Sequence, residues 1–135
     1  MAVRKASYYS AKVPQRPGAG AQLLAALKAS KVNLLAFTGF PASGGAQVDF
    51  IPKDNAKFTQ AARKTKIKLS ARKTVFLVQG EDRPGALTQI LGKLAQAKIN
   101  VVSLQAVVAG KGRYGAMFWV KRKDVGKASR VLKAR

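Results

Sequence analysis

Apolar residues recur along this chain in two rhythms. Leu87, Ile90, Leu91 and Leu94 fall three and four positions apart, which puts them on one face of a helix. Leu23, Leu24 and Leu27 do the same among alanines. Ahead of each helical stretch runs a short segment rich in Tyr, Phe and Val, "ASYYSAKV" and "KTVFLVQG". Behind each come two more such runs, "VNLLAFTGF" with "AQVDFIP" and "INVVSLQAVVAG" with "RYGAMFWVK". Their β-branched and aromatic content, broken by Gly-containing turns, predicts strands. Asp54 to Lys64 and Asp124 to Lys133 predict two further helices, each headed by an Asp suited to cap it. In "KIKLSA", Ile67 and Leu69 alternate with Lys66, Lys68 and Ser70, the pattern of a half-buried closing strand. No equivalent comes after the last helix, since the sequence stops at Arg135.

The order strand, helix, strand, strand, helix is therefore written twice, and the sequence repeats with it. "RPGALTQILGKLAQAKIN" (83–100) and "RPGAGAQLLAALKASKVN" (16–33) lie 67 positions apart and share nine of eighteen residues. In each copy Arg-Pro-Gly joins the first strand to the first helix. Pro pre-sets the helical φ and Gly permits the bend. Antiparallel sheets with helices on one face bury such stripes economically. The expected fold class is α+β, two tandem ferredoxin-like (βαββαβ) units, 1–71 and 72–135, the second lacking its last strand. Units this small are marginal alone, which favours a fused pair or a dimer.

Composition narrows the chemistry. With no Cys and no His, disulfides, thiolate nucleophiles, imidazole bases and the usual zinc ligands are absent, so neither a metal nor a cofactor is expected. Glu81 and Asp82 are adjacent, but neighbours on a strand point apart and no nucleophile accompanies them, so an enzyme is not expected. No apolar run approaches a signal peptide or a membrane span, and a cytoplasmic location is the default.

The string "VFLVQGEDRPGALTQILGKLAQAKINVVSLQAV" and its echo "YYSAKVPQRPGAGAQLLAALKASKVNLLAFTGF" resemble the amino-acid-sensing ACT domain, in particular small proteins carrying two such domains. The matching core is Asp-Arg-Pro-Gly-Ala-Leu (82–87) with Ile-Asn-Val fourteen to sixteen residues past Gly85. The resemblance implies a regulatory protein binding a small amino acid at the turn before the first helix, near the neighbouring domain's second strand. A homodimer or a regulatory partner protein is expected. The residues agree with that placement. Amide donors at a helix start, here Gly85, Ala86 and Leu87 beside Arg83 and Pro84, favour a carboxylate, and Asp82 suits an ammonium group. Asn100, or Asn33 from the other copy, can both donate and accept. Gln15 stands where Asp82 does, so a weaker second site is expected at Gln15, Arg16, Pro17, Gly18 and Ala19.

Charge supplies the rival reading. The chain carries 26 Lys and Arg against five acids, a formal +21, with twelve basic and two acidic residues (+10) in 1–71 and fourteen and three (+11) in 72–135. Lys121, Arg122, Lys123, Lys127 and Arg130 crowd the last helix, joined by Lys133 and Arg135. A basic nucleic-acid or polyanion-binding protein on the same sheets is the alternative. "KGRYGAMFWVKRK" even resembles the base-stacking strand of RNA-recognition motifs, although Ala116 stands where a stacking ring belongs.

Overall fold

A computed structural model describes all 135 residues. The elements run β1 (Ala2–Val13), α1 (Ala19–Ala29), β2 (Leu34–Ala42), β3 (Gly45–Pro52), α2 (Asn55–Lys64), β4 (Lys73–Glu81), α3 (Thr88–Gln96), β5 (Val101–Val108), β6 (Arg113–Val120) and α4 (Val125–Leu132). The α+β character and the element order agree with the sequence pattern. No helix is long and apolar enough to cross a membrane. Two compact units divide the chain: Ser7–Lys73, and Thr74–Arg135 together with Met1–Ala6.

In the unit Ser7–Lys73, β3 pairs antiparallel with both β2 and the second half of β1, with Tyr9 opposite Phe50. Tyr9, Phe50 and Phe58 build its core, the Phe58 ring of α2 lying 5.2 Å from that of Tyr9 and 5.1 Å from that of Phe50. Asp54 caps α2 by accepting from the Lys57 N–H at 3.0 Å. Asp49 is buried, yet Ser10, Gln47 and Thr38 all donate to its carboxylate, so its desolvation is compensated. The closing strand expected at 66–71 does not form as a ladder. The Ser70 N–H donates to the Ser10 carbonyl, but the Ser10 N–H donates to the Ser70 hydroxyl instead of a carbonyl, which ends regular pairing. Ile67 and Leu69 still pack on the core, as their alternation requires.

The other unit repeats the plan. Strand order is β1, β4, β6, β5, with β1 entering through Met1–Ala6. Phe76 lies opposite Phe118, their rings stacked 5.0 Å apart. Bulges fall at the same place in both units, between Leu34 and Ala36 and between Val101 and Ser103. No strand comes after α4. Instead Val3 is buried among Phe76, Val78 and Leu132, the Arg135 N–H donates to the Val3 carbonyl and the Lys5 N–H to the Arg135 carbonyl. The chain's first six residues thus occupy a strand position in this unit, which sequence order alone hides. Asp124 makes no side-chain cap. A 3-10 turn over Arg122–Asp124 leads into α4 instead.

All four helices stop alike. Lys31, Lys66, Lys98 and Lys133 each adopt left-handed backbone, with φ of 53 to 59°. The apolar residue after each, Val32, Ile67, Ile99 and Ala134, donates its N–H five residues back, to Leu27, Ala62, Leu94 and Ser129. These are Schellman ends with Lys where Gly is usual.

If Met1–Ala6 is a working part of this unit, Val3→Ala will lower stability by about 2 kcal/mol in urea denaturation, whereas exposed Ala2→Ser will not. Equal stability of the two variants would contradict the placement.

Candidate functional site

An open cleft of about 410 Å³ lies within the unit of Thr74–Arg135, at the bend between β4 and α3. Its walls come from Asp82, Gly85, Ala86, Leu87, Thr88 and Leu91 on one side. The end of β5 (Ala106, Val107, Val108) and Tyr114 of β6 form the other. Arg83 and Pro84 are exposed on the bend but outside the walls.

Local rules build the bend. The Asp82 N–H donates to the Gly112 carbonyl at 2.9 Å, tying the end of β4 to the β5–β6 hairpin. Gly85 then takes φ +70°, which an L side chain rarely adopts. The turn closes with Ala86 N–H to Arg83 O and Thr88 N–H to Gly85 O, so α3 starts only at Thr88. Of the three amides expected to be free, that of Ala86 is therefore engaged. Those of Gly85 and Leu87 meet no backbone acceptor, and no side chain caps this helix start. The carboxylate of Asp82, on the exposed rim, is the one charge in a lining that is otherwise largely apolar.

The pattern of a single copy does not mark Tyr114. It pairs with Gly80, and a Cβ on Gly80 would sit 2.7 Å from Cε1 of the Tyr114 ring, so the ring lies where a side chain at position 80 would be. The corresponding register pair in the other unit is Val13 with Ala46, which has no ring. That exchange, Gly with Tyr for Val with Ala, is visible when the two copies are written under each other.

The remaining expected residues lie elsewhere. Asn100 precedes β5, while the cleft lies at that strand's far end, roughly 20 Å off at ~3.3 Å per residue. It does not join the cleft of its own unit. Asn33 belongs to the unit of Ser7–Lys73, where its carbonyl accepts from the Lys53 N–H. At the first bend Gly18 has φ 88°, α1 begins directly at buried Ala19, and the Ala19 N–H donates to Arg16 O. The Arg16 guanidinium donates to Gln22 Oε1 at 3.3 Å, laying its side chain along the bend, while Gln15 and Pro17 are exposed. The basic residues Lys121, Arg122, Lys123, Lys127 and Arg130 are all exposed. The aromatic strand of the RNA-binding comparison is not a platform, because Phe118 is 0% and Tyr114 7% exposed within the core.

Gly80→Ala tests how the cleft is built. The added methyl must displace the Tyr114 ring, which is expected to lower stability by about 1 to 3 kcal/mol and to change Tyr114 fluorescence. Unaltered melting and an unaltered Tyr environment would remove Tyr114 from its assigned place.

No curated protein matches the chain by sequence. Among solved structures, a protein from Bacteroides thetaiotaomicron superposes with TM-score 0.82 at 19% identity, over 97% of this chain and 88% of that one. The regulatory subunit of aspartate kinase from Thermus thermophilus, in a ligand-free form, superposes with TM-score 0.63 at 15% identity, over 98% and 93%. A structure of aspartokinase alpha and beta subunits does so with TM-score 0.60 at 18% identity, over 98% and 95%. At these identities the likeness is one of fold. Residues 74–135 match the family model of the ACT domain, a stretch that covers the β4–α3 bend and every wall of the cleft.

Proposed function

We propose that this protein is a non-enzymatic regulator that binds a small amino acid in the cleft at the second Pro-Gly bend. Its two units, Ser7–Lys73 and the one containing residues 74–135, act as tandem ACT-like domains in this reading. The observation that carries it is the cleft itself, where one carboxylate, two backbone amides without acceptors and an apolar wall converge. Asp82 holds the ammonium group of the ligand, and the Gly85 and Leu87 N–H groups at the start of α3 take its carboxylate. Leu87, Leu91, Ala106 and Val107 receive its side chain, which favours an aliphatic amino acid. The family match over 74–135 supports a small-ligand regulatory role.

The first bend is the weaker site. It offers Gln15 in place of a carboxylate, and Arg16 lies along it toward Gln22. Asn100 takes no part from within its own unit, since it lies at the opposite end of β5. Occupancy of the cleft is read by a second copy of this chain or by a partner protein.

Thermal shift with each of the twenty amino acids will identify the ligand, since one present at a hundred times its Kd raises stability by about 2.7 kcal/mol. Calorimetric titration of that ligand is then expected to show affinity reduced roughly 10- to 100-fold by Asp82→Ala, the worth of a charged hydrogen bond, and unchanged by Gln15→Ala. An Asp82→Ala protein that binds as well as the parent would refute the site. No response to any amino acid would refute the function.

A further inference from the structure

Charge is the property of this chain that the cleft leaves unused, for no cation lines it. The excess is not balanced inside the fold either. Both acids of the unit Ser7–Lys73 are engaged, Asp49 by three side-chain donors and Asp54 by the start of α2. In the other unit, cations gather on the last helix and on the 3-10 turn that leads into it. Lys123, Lys127 and Arg130 are spaced at four and three residues and all are exposed, while Ala128 and Leu132 turn into the core with Val125 packed against it. The Arg130 guanidinium lies back toward Gly126, where an added Cβ would be 3.6 Å from its Nη1. The backbone bonds from Arg135 to Val3 and Lys5 then bring exposed Lys5, on the same strand face as Val3, beside the C-terminal residue. Within 121–135 and 1–6 the one acid is Asp124.

We infer that this surface, formed by Lys5, Lys123, Lys127, Arg130 and Arg135, binds the phosphate backbone of nucleic acid without reading its sequence. A protein partner needs an apolar centre to its interface, and this face has none. The exposed large apolar residues of the unit are Leu91, Val102, Val107 and Val108 on α3 and β5, and Met1 at the chain start. Phosphates need only cations, whose gain comes from releasing condensed counterions. Base stacking is absent from the scheme because Tyr114 and Phe118 are buried, so contact is confined to the backbone.

Fluorescence anisotropy of a labelled oligonucleotide of about 20 residues, as single strand and as duplex, tests the inference. With about five phosphates engaged on the duplex, affinity is expected to fall about 500-fold between about 50 and about 200 mM salt. The triple variant Lys123→Ala/Lys127→Ala/Arg130→Ala should shorten the logarithmic salt slope by about 2.7. A control, Lys28→Ala/Lys57→Ala/Lys64→Ala, removes the same charge from exposed positions of the other unit and should leave the slope nearly unaltered. Circular dichroism melts establish that both variants fold. Equal losses in the two variants would mean that total charge, not this surface, does the binding and would overturn the inference. So would salt-independent binding, no binding at low salt, or displacement of the oligonucleotide by polyglutamate at matched charge, which would assign the surface to an acidic protein.

Discussion

A unit of this kind must reverse its chain after every eight to twelve residues, and left-handed backbone is what lets it. Ahead of α1 and α3 the residue is Gly18 or Gly85. At the helix ends it is Lys31, Lys66, Lys98 or Lys133, each succeeded by an apolar residue whose N–H reaches five residues back. Helices of eight to eleven residues would be marginal as isolated peptides. Fixed stops let them place Leu27, Phe58, Ile90 and Leu94 against the sheets, and that burial stabilises them.

The same constraint makes the second bend more than a connection. After left-handed Gly85 the chain makes a further turn before α3 begins, and the amides of Gly85 and Leu87 are left at the cleft without backbone acceptors. In the first copy α1 begins immediately after Gly18, and Arg16 and Gln22 are paired along the bend. Two sequences that share Arg-Pro-Gly-Ala therefore form different local structures. The copies differ in the two residues after the motif, Leu-Thr in one and Gly-Ala in the other, and in Asp82 against Gln15. Tyr114 completes the contrast, since its ring takes the space that Gly80 leaves empty.

Much of this was legible in the sequence. The apolar stripes located the helices, the β-rich runs located the strands, and the offset of 67 even places the two bulges and the left-handed lysines in correspondence. What stayed hidden had physical reasons. Met1–Ala6 joins Thr74–Arg135, a pairing across almost the whole chain that no local pattern encodes. The stretch 66–71 alternates like a strand, but the Ser70 hydroxyl accepts from the Ser10 N–H and the ladder stops. Asp124 reads as a cap, yet the 3-10 turn that carries it makes no such bond. Of the expected cleft, Asp82, Gly85, Ala86 and Leu87 are together, whereas Asn100 was placed by its motif spacing and lies at the other end of β5. The walls from β5 and Tyr114 depend on strand register, which the sequence of a single copy does not reveal.

In the proposed reading two kinds of recognition are separated within one unit: a nearly uncharged recess with one carboxylate, and a cationic surface on and around the last helix. The central claim is that the left-handed glycine of the second bend presents backbone amides to an amino acid. Amide-resolved NMR during titration with the bound amino acid tests it most directly. The account predicts that the largest shifts fall on the Gly85, Leu87 and Thr88 amides, with Gly18 and Ala19 nearly still. Saturating shifts centred on the first bend, or spread over the basic helix with Gly85 and Leu87 unmoved, would contradict it.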